Sequence, residues 1–364
     1  MRYAFLACAV VSLIAAPSGC SSQAFSTGPS ADSACDQRAA ALCERIGTCS
    51  ADAVQVRYGD AATCQAEQKA ACLNVLAASS TAATPTTTIA CAAALPAVAC
   101  ADYNDNFLPT ECQAQVGKLA MGAVCAFNAQ CRSQFCGIGK YSNCGVCQDQ
   151  PKVNDSCTNL TNCGPGLECV HKGTVCVSEA SKAGDQCDLD VPCGSGFSCV
   201  GAKAATTAAV AVEGSCQPAV QTSGATCDPK RKTGPGCDVN KGLVCDPTSM
   251  TCIPIIVASV GQPCDANLTV CSSAATCVIA TGTGAGTCVA PAPDGAPCDT
   301  ANGPSCRTLS RCIVTGAGTS GTCELPIDNC GASTPHGTGG TAGAGGGRGG
   351  GGSGGSGIGG IAPI

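Results

Sequence analysis

Asn154-Asp-Ser-Cys157, Cys163-Gly-Pro-Gly-Leu-Glu-Cys169 and Thr174-Val-Cys176 together make one four-cysteine unit. The unit returns as Cys187, Cys193, Cys199 and Cys216, then as Cys227, Cys237, Cys245 and Cys252. Two further copies follow, Cys264, Cys271, Cys277 and Cys288, and Cys298, Cys306, Cys312 and Cys323. Successive first cysteines lie 30, 40, 37 and 34 residues apart, and recurrence at a period of a few tens of residues marks an array of small units. Glycine stands three residues before the first cysteine in four of the five (Gly184, Gly224, Gly261, Gly295), as a tight turn opening each unit would require. The segment between third and fourth cysteines reads as a hairpin, its loop varying from 6 residues after Cys169 to 16 after Cys199. Of the three connectivities open to each unit, first to third with second to fourth is the expectation. Loops that vary on a fixed frame are where recognition would sit.

Composition says what must hold such units together. The chain has 364 residues, with 36 Cys, 47 Gly, 6 Phe, 4 Tyr and no Trp, and between Cys157 and Cys330 its only aromatic residue is Phe197. No unit can bury the large side chains that normally stabilise a small domain, so covalent staples must substitute for a core. A bridge closing a loop of about 15 residues contributes roughly 3 kcal/mol in the chain-entropy model. Such a chain matures where thiols oxidise. The formal net charge of −6, with basic residues scattered, gives no electrostatic footprint for nucleic acid or an anionic membrane surface.

The N-terminus points to the same compartment. Met1-Arg2 precedes an apolar run, Ala4 to Ala16, interrupted only by Ser12; it is too short to span a bilayer and suits a secretory signal. The run ends at Ser18-Gly19-Cys20-Ser21-Ser22, which resembles a bacterial lipoprotein signal, and the resemblance implies that Cys20 is acylated and becomes the mature terminus. Residues 1–19 are then the signal and 20–34 a tether. Cleavage after Ala24 is the alternative. Loss of Cys8 and acylation of Cys20 leave 34 cysteines, an even number. The protein is expected at the cell envelope or surface, meeting the membrane through its N-terminal lipid alone.

Residues 35–117 read as an α-helical cysteine-rich domain. Caps at Asp32 or Ser33, at Ser50 and at Asp60, with Thr84-Pro85 opening a shorter helix closed by Pro96, predict four helices. Cys35 and Cys43 lie eight residues apart on the first helix, as do Cys64 and Cys72 on the third. Eight residues rise about 12 Å, beyond the roughly 7 Å within which two Cα atoms can be bridged, so neither pair closes on itself. Antiparallel lacing, Cys35 to Cys72 and Cys43 to Cys64, is one solution; pairing to Cys49, Cys91, Cys100 or Cys112 stays open.

Residues 118–150 carry Cys125, Cys131, Cys136, Cys144 and Cys147. The pattern C-x5-C-x4-C followed by C-x2-C resembles the N-terminal cysteine-rich region of Dickkopf proteins. It is also similar to large secreted myxobacterial lipoproteins that carry this signature after an Ala-rich helical region with a Tyr-Gly-Asp segment, here Tyr58-Gly59-Asp60. The resemblance implies a disulfide-framed binding module. Five modules then fill 151–330, and Cys330 is left without an assigned partner.

Chemistry is sparse. His171 and His336 are the two histidines, one in a hairpin loop and one in the tail, neither placed for a triad or a metal shell. Cys144-x2-Cys147 reads as halves of two disulfides rather than a zinc half-site. No catalytic residue, cofactor or metal is expected. The tail, 331–364, is Gly-rich and reads as disorder. The fold class is thus a tandem array of small disulfide-rich modules, short hairpins and loops, preceded by a disulfide-laced α-helical domain. The function that follows is a non-enzymatic, envelope-anchored scaffold or interaction protein whose partner is an unidentified protein or cell-surface ligand. The reading from another class is a protease inhibitor, with Lys230-Arg231-Lys232 offered from a disulfide-framed loop to a trypsin-like target.

Overall fold

A computed structural model describes residues 28–330, apart from 140, 158–162, 165–166, 170–174, 179, 181, 189–191, 204–211, 266–267, 280–284, 302 and 317. The hydroxyl of Ser30 accepts the Ser33 N–H at 3.1 Å and starts α1 at Ala31–Cys49. Ser30, not Asp32 or Ser33, is therefore the cap, and the first helix begins inside the stretch taken as a tether. Asp52 rather than Ser50 precedes α2 (Ala53–Tyr58), which stops at Gly59 with φ 85°; that left-handed geometry suits glycine. Asp60 caps α3 (Ala61–Ala77) through the Thr63 N–H at 2.7 Å. Thr84 and Thr87 form a reciprocal capping box on α4 (Pro85–Ala94). A fifth short helix, α5 (Cys100–Asn104), was not expected from the sequence.

Disulfides lace these helices antiparallel. Cys35 bonds Cys72 and Cys43 bonds Cys64, with Cα separations of 5.6 and 6.0 Å. Cys49 holds α5 through Cys100, and Cys91 ties α4 to Cys112. Leu42, Ile46, Leu95 and Tyr103 fill the space between them. Among the described residues this domain holds the largest buried side-chain cluster.

The rest is six modules, not five plus a different one. Cys125 to Cys136 with Cys131 to Cys147 repeats the pairing of every later module, first to third and second to fourth. Third and fourth cysteines face each other across a two-strand ladder, as Cys169 does Cys176 and Cys245 does Cys252. Directly opposed residues point to one side of the ladder, so both bridges leave the same face and stack. In the five later modules the sulfurs are the core, joined by one or two apolar neighbours such as Leu167 or Phe197, whereas the Cys125 module also buries Phe135 and Ile138. In four modules the first-cysteine segment adds a third antiparallel strand, giving the order first, last, middle.

A recurring hydrogen bond clips each module shut. The N–H three residues before the first cysteine donates to the carbonyl of the fourth: Gly122 to Cys147, Gly184 to Cys216, Gly224 to Cys252, Gly261 to Cys288 and Gly295 to Cys323, all between 2.7 and 2.8 Å. These glycines have φ between 79° and 87°, a region that penalises a Cβ. In the Cys157 module Asn154 takes the position at φ 71° and donates to Cys176 at 2.8 Å, as the residue type next most tolerant of that conformation can.

The array does not run on as a line. It curls back around the helical domain, which receives hydrogen bonds from most of it. Ser195 N–H donates to Asp105 Oδ1 at 2.7 Å, and the Asn240 carbonyl accepts from Ala51 N–H at 3.1 Å. Ser273 and Ala274 donate to the Gln55 and Val56 carbonyls at 2.9 and 2.7 Å, and the Thr308 hydroxyl donates to the Arg57 carbonyl at 2.6 Å. The Val56 and Arg57 carbonyls, at the end of α2 where a helix leaves its acceptors without internal partners, are thus met by two different modules, and Gln55 takes Ser273 in addition to the Gly59 N–H. Cys330, left without an assigned partner by the sequence, bonds Cys144 across 186 residues and closes the circuit. The modules are therefore in contact with the helical domain as well as with their neighbours along the chain.

Candidate functional site

Each candidate cysteine from Cys35 to Cys323 is in a disulfide, with Cys330 and the remaining helical-domain cysteines completing 17 bonds. Triplets such as Cys125, Cys131 and Cys147 bring three sulfurs within 4.8 Å. That closeness is the stacking of two bridges; sulfur held in a disulfide is not the thiolate that binds zinc. Cys20, His171 and His336 lie outside the described residues, as do the Gly-rich tail and most of the signal and tether.

The basic loop is built around Asp228. One carboxylate oxygen accepts the Lys230 N–H at 2.9 Å; the other accepts the N–H groups of Lys232 and Thr233, both at 2.9 Å, and the Thr233 hydroxyl at 3.2 Å. The Thr233 N–H, then those of Lys230 and Lys232, bring the Asp228 pKa down to about 2. Lys230, Arg231 and Lys232 are exposed on the turn this creates. Arg231 has φ 51°, and its carbonyl accepts the Gly201 N–H of the preceding module at 2.8 Å. A residue presented to a serine protease must place its carbonyl in the oxyanion hole. Here that carbonyl is already bonded and the backbone is left-handed, so the loop as folded is a poor substrate mimic.

Asp228→Ala removes four accepted bonds at once. The expected result is trypsin cleavage within residues 230–232 faster by about tenfold, since opening of the loop limits the attack, with the 17 disulfides intact by mass. The folded-state pKa lies below the ordinary 3.8, so the turn is fully stabilised above that value and loosens as pH falls toward about 2. Amide shifts of Lys232 and Thr233 followed by NMR should titrate near the lower figure; a midpoint at the ordinary carboxylate value would show that Asp228 does not hold the turn.

Other titratable groups are shifted by hydrogen bonds, as Asp60 and Asp246 are downward, or by burial. Burial pushes the Tyr58 and Tyr103 phenols up, which keeps both neutral. Glu67 and Asp105 are also raised by burial, but Asp105 spends its Oδ1 on docking Ser195. What the array does expose is backbone edge and loop. In the Cys264 module the outer strand Thr276–Ile279 carries Val278 and Ile279, each 39% exposed, and Ile256 nearby in sequence is 53% exposed. An outer strand with apolar side chains is a template for an added strand.

The docking residues Ser195, Asn240, Ser273 and Thr308 carried no sequence signal, because their partners lie in another domain. Asp228 did carry one: Cys-Asp-Pro before a basic run is a side-chain-to-backbone turn. Against models of known protein families, curated proteins and solved structures, the chain has no match.

Proposed function

We propose that the protein is a non-enzymatic, envelope-anchored scaffold or interaction protein, displaying the loops of six disulfide-framed modules around a helical hub. The observation that carries this reading is the closed circuit itself: 17 disulfides and the Cys144–Cys330 bond fix the loops of the described modules in position while leaving many of them exposed. Rigid presentation lowers the ordering cost of binding. Dense disulfides make the chain an extracytoplasmic one, and no helix among the described residues is long and apolar enough to cross a membrane. Anchoring through Cys20 and kinship with Dickkopf-like modules of myxobacterial lipoproteins belong to the same proposal, supported by Gly19-Cys20-Ser21 and by the cysteine spacing at 125–147.

Two measurements test it. Cys20→Ala should move the protein from the membrane fraction to the medium and stop incorporation of labelled acyl chains; unchanged labelling, or a wild-type mature terminus at Phe25, ends the anchoring reading. The oxidised ectodomain should bind intact envelopes of the producing cell saturably, competed by unlabelled protein and lost on reduction. Binding that neither saturates nor depends on the disulfides removes the interaction reading.

A further inference from the structure

A half-open cleft of about 60 Å³ lies where α1, the end of α3 and α4 meet residues 111–115 and the Cys125 module. Its walls are mainly apolar, Leu76 and Phe127 among them, and Arg38 and Thr88 also line it. Arg38 projects from the cysteine face of α1 and is only 8% exposed. Among the described residues it has neither an ion pair nor a hydrogen bond; the ion pairs found are those of Lys69 with Asp32 and Asp36. Desolvation brings its pKa down to about 10, still well above neutrality, so the guanidinium remains charged. The Thr88 residue is equally buried, and its hydroxyl has no partner among the described residues.

A largely buried cation without a counter-charge is unfavourable, and its opening onto the cleft leaves room for a bound group to supply that charge. A guanidinium fork matches a planar carboxylate with two parallel bonds, and Thr88 adds one hydroxyl donor. The apolar walls disfavour a strongly hydrated inorganic anion such as phosphate, and Glu111 at the rim, exposed and accepting from the Thr110 hydroxyl at 3.2 Å, repels a dianion more than a monoanion. The space admits a carboxylate and a few carbon atoms. We propose that this cleft binds a small organic monocarboxylate, its carboxylate held by Arg38 and Thr88 and its short apolar substituent against Leu76 and Phe127. The site goes beyond the scaffold role and does not depend on it.

Butanoate titrated calorimetrically into the oxidised full-length chain tests this, with inorganic phosphate as the second probe. The expected result is one saturable butanoate site, weakened about tenfold or more in Arg38→Gln, as loss of a charge-assisted bidentate pair implies. Arg38→Lys should bind with intermediate affinity. Thr88→Val conserves shape and should cost about fivefold, the worth of one hydrogen bond, so the test survives if Arg38→Gln fails to fold. Glu111→Gln should leave butanoate binding unchanged or tighter. The proposal is overturned if butanoate does not saturate the wild type by about 10 mM, where a Kd would be too weak to matter. It is equally overturned if phosphate binds more tightly, if Thr88→Val binds as the wild type does, or if Glu111→Gln abolishes binding, since Glu111 would then be acting as part of the site rather than as its rim.

Discussion

Full reduction and alkylation should abolish protease resistance across residues 154–330 while leaving part of the helical circular dichroism in place. The reason is what each module buries. In the Cys157, Cys187, Cys227, Cys264 and Cys298 modules the buried clusters are cysteines with one or two small or medium apolar neighbours. Ordering some 20 to 30 residues costs roughly 1–2 kcal/mol per residue of backbone entropy, and sulfur with a single leucine or phenylalanine offsets little of it. The crosslinks change the sign by restricting the unfolded chain: loops of 12 to 23 residues are each worth about 3 kcal/mol in the entropy model. The helical domain differs because Leu42, Ile46, Leu95 and Tyr103 pack against one another and its helices carry their own caps. Digestion should therefore remove the array first. A reduced array that stays resistant, or that takes up stoichiometric zinc through its freed thiols and refolds, would show that these cysteines are not there for crosslinking.

What the sequence made legible was local. Cysteine order and spacing were enough for the module unit, the hairpin between third and fourth cysteines, and the lacing of α1 to α3, because each depends on geometry within a few tens of residues. The caps at Asp60 and Thr84 stand where the sequence placed them, while those of α1 and α2 lie two or three residues away, since Ser30, Asp32 and Ser33 are all competent caps and packing chooses among them. The kinship of the Cys125 unit with the other five was readable from Gly122, three residues before Cys125, but the extra Cys144 hid it. The return of the array onto the hub had no local signature. Ser273 and Ala274 adopt φ of 58° and 57°, a strain that two ordinary residues bear because their N–H groups meet the end of α2. A period reports what repeats along the chain, and the docking contacts are what does not repeat.

Cys144→Ser with Cys330→Ser tests how much of that closed arrangement depends on its one covalent clasp. The bond spans 186 residues of chain, but the disulfides inside the span short-circuit it, so the shortest covalent path is roughly 100 residues, a loop whose closure is worth about 4.7 kcal/mol in the entropy model. Among the described residues the seam would keep Ser79 N–H to Asp328 Oδ2 at 2.7 Å, Asn74 to the Pro326 carbonyl at 3.0 Å, Asn143 to Glu324 at 3.0 Å and Arg311 to the Ser142 carbonyl at 3.0 Å, with Gln130 also bonded to the Asp328 side chain. Net values near 1 kcal/mol each would be comparable to the closure entropy they must now oppose without the clasp. The double variant should accordingly keep its sixteen other bridges and every module intact, yet swing the Cys298 module away from the hub. Hydrogen exchange at Ser79 and Thr81 should accelerate, the radius of gyration from solution scattering should rise, and proteases should cut near residues 325–330. Unchanged exchange and scattering would mean that the contacts of Ser273, Ala274 and Thr308 with α2 suffice to hold the array against the hub, and that the clasp adds nothing to a closure already made without it.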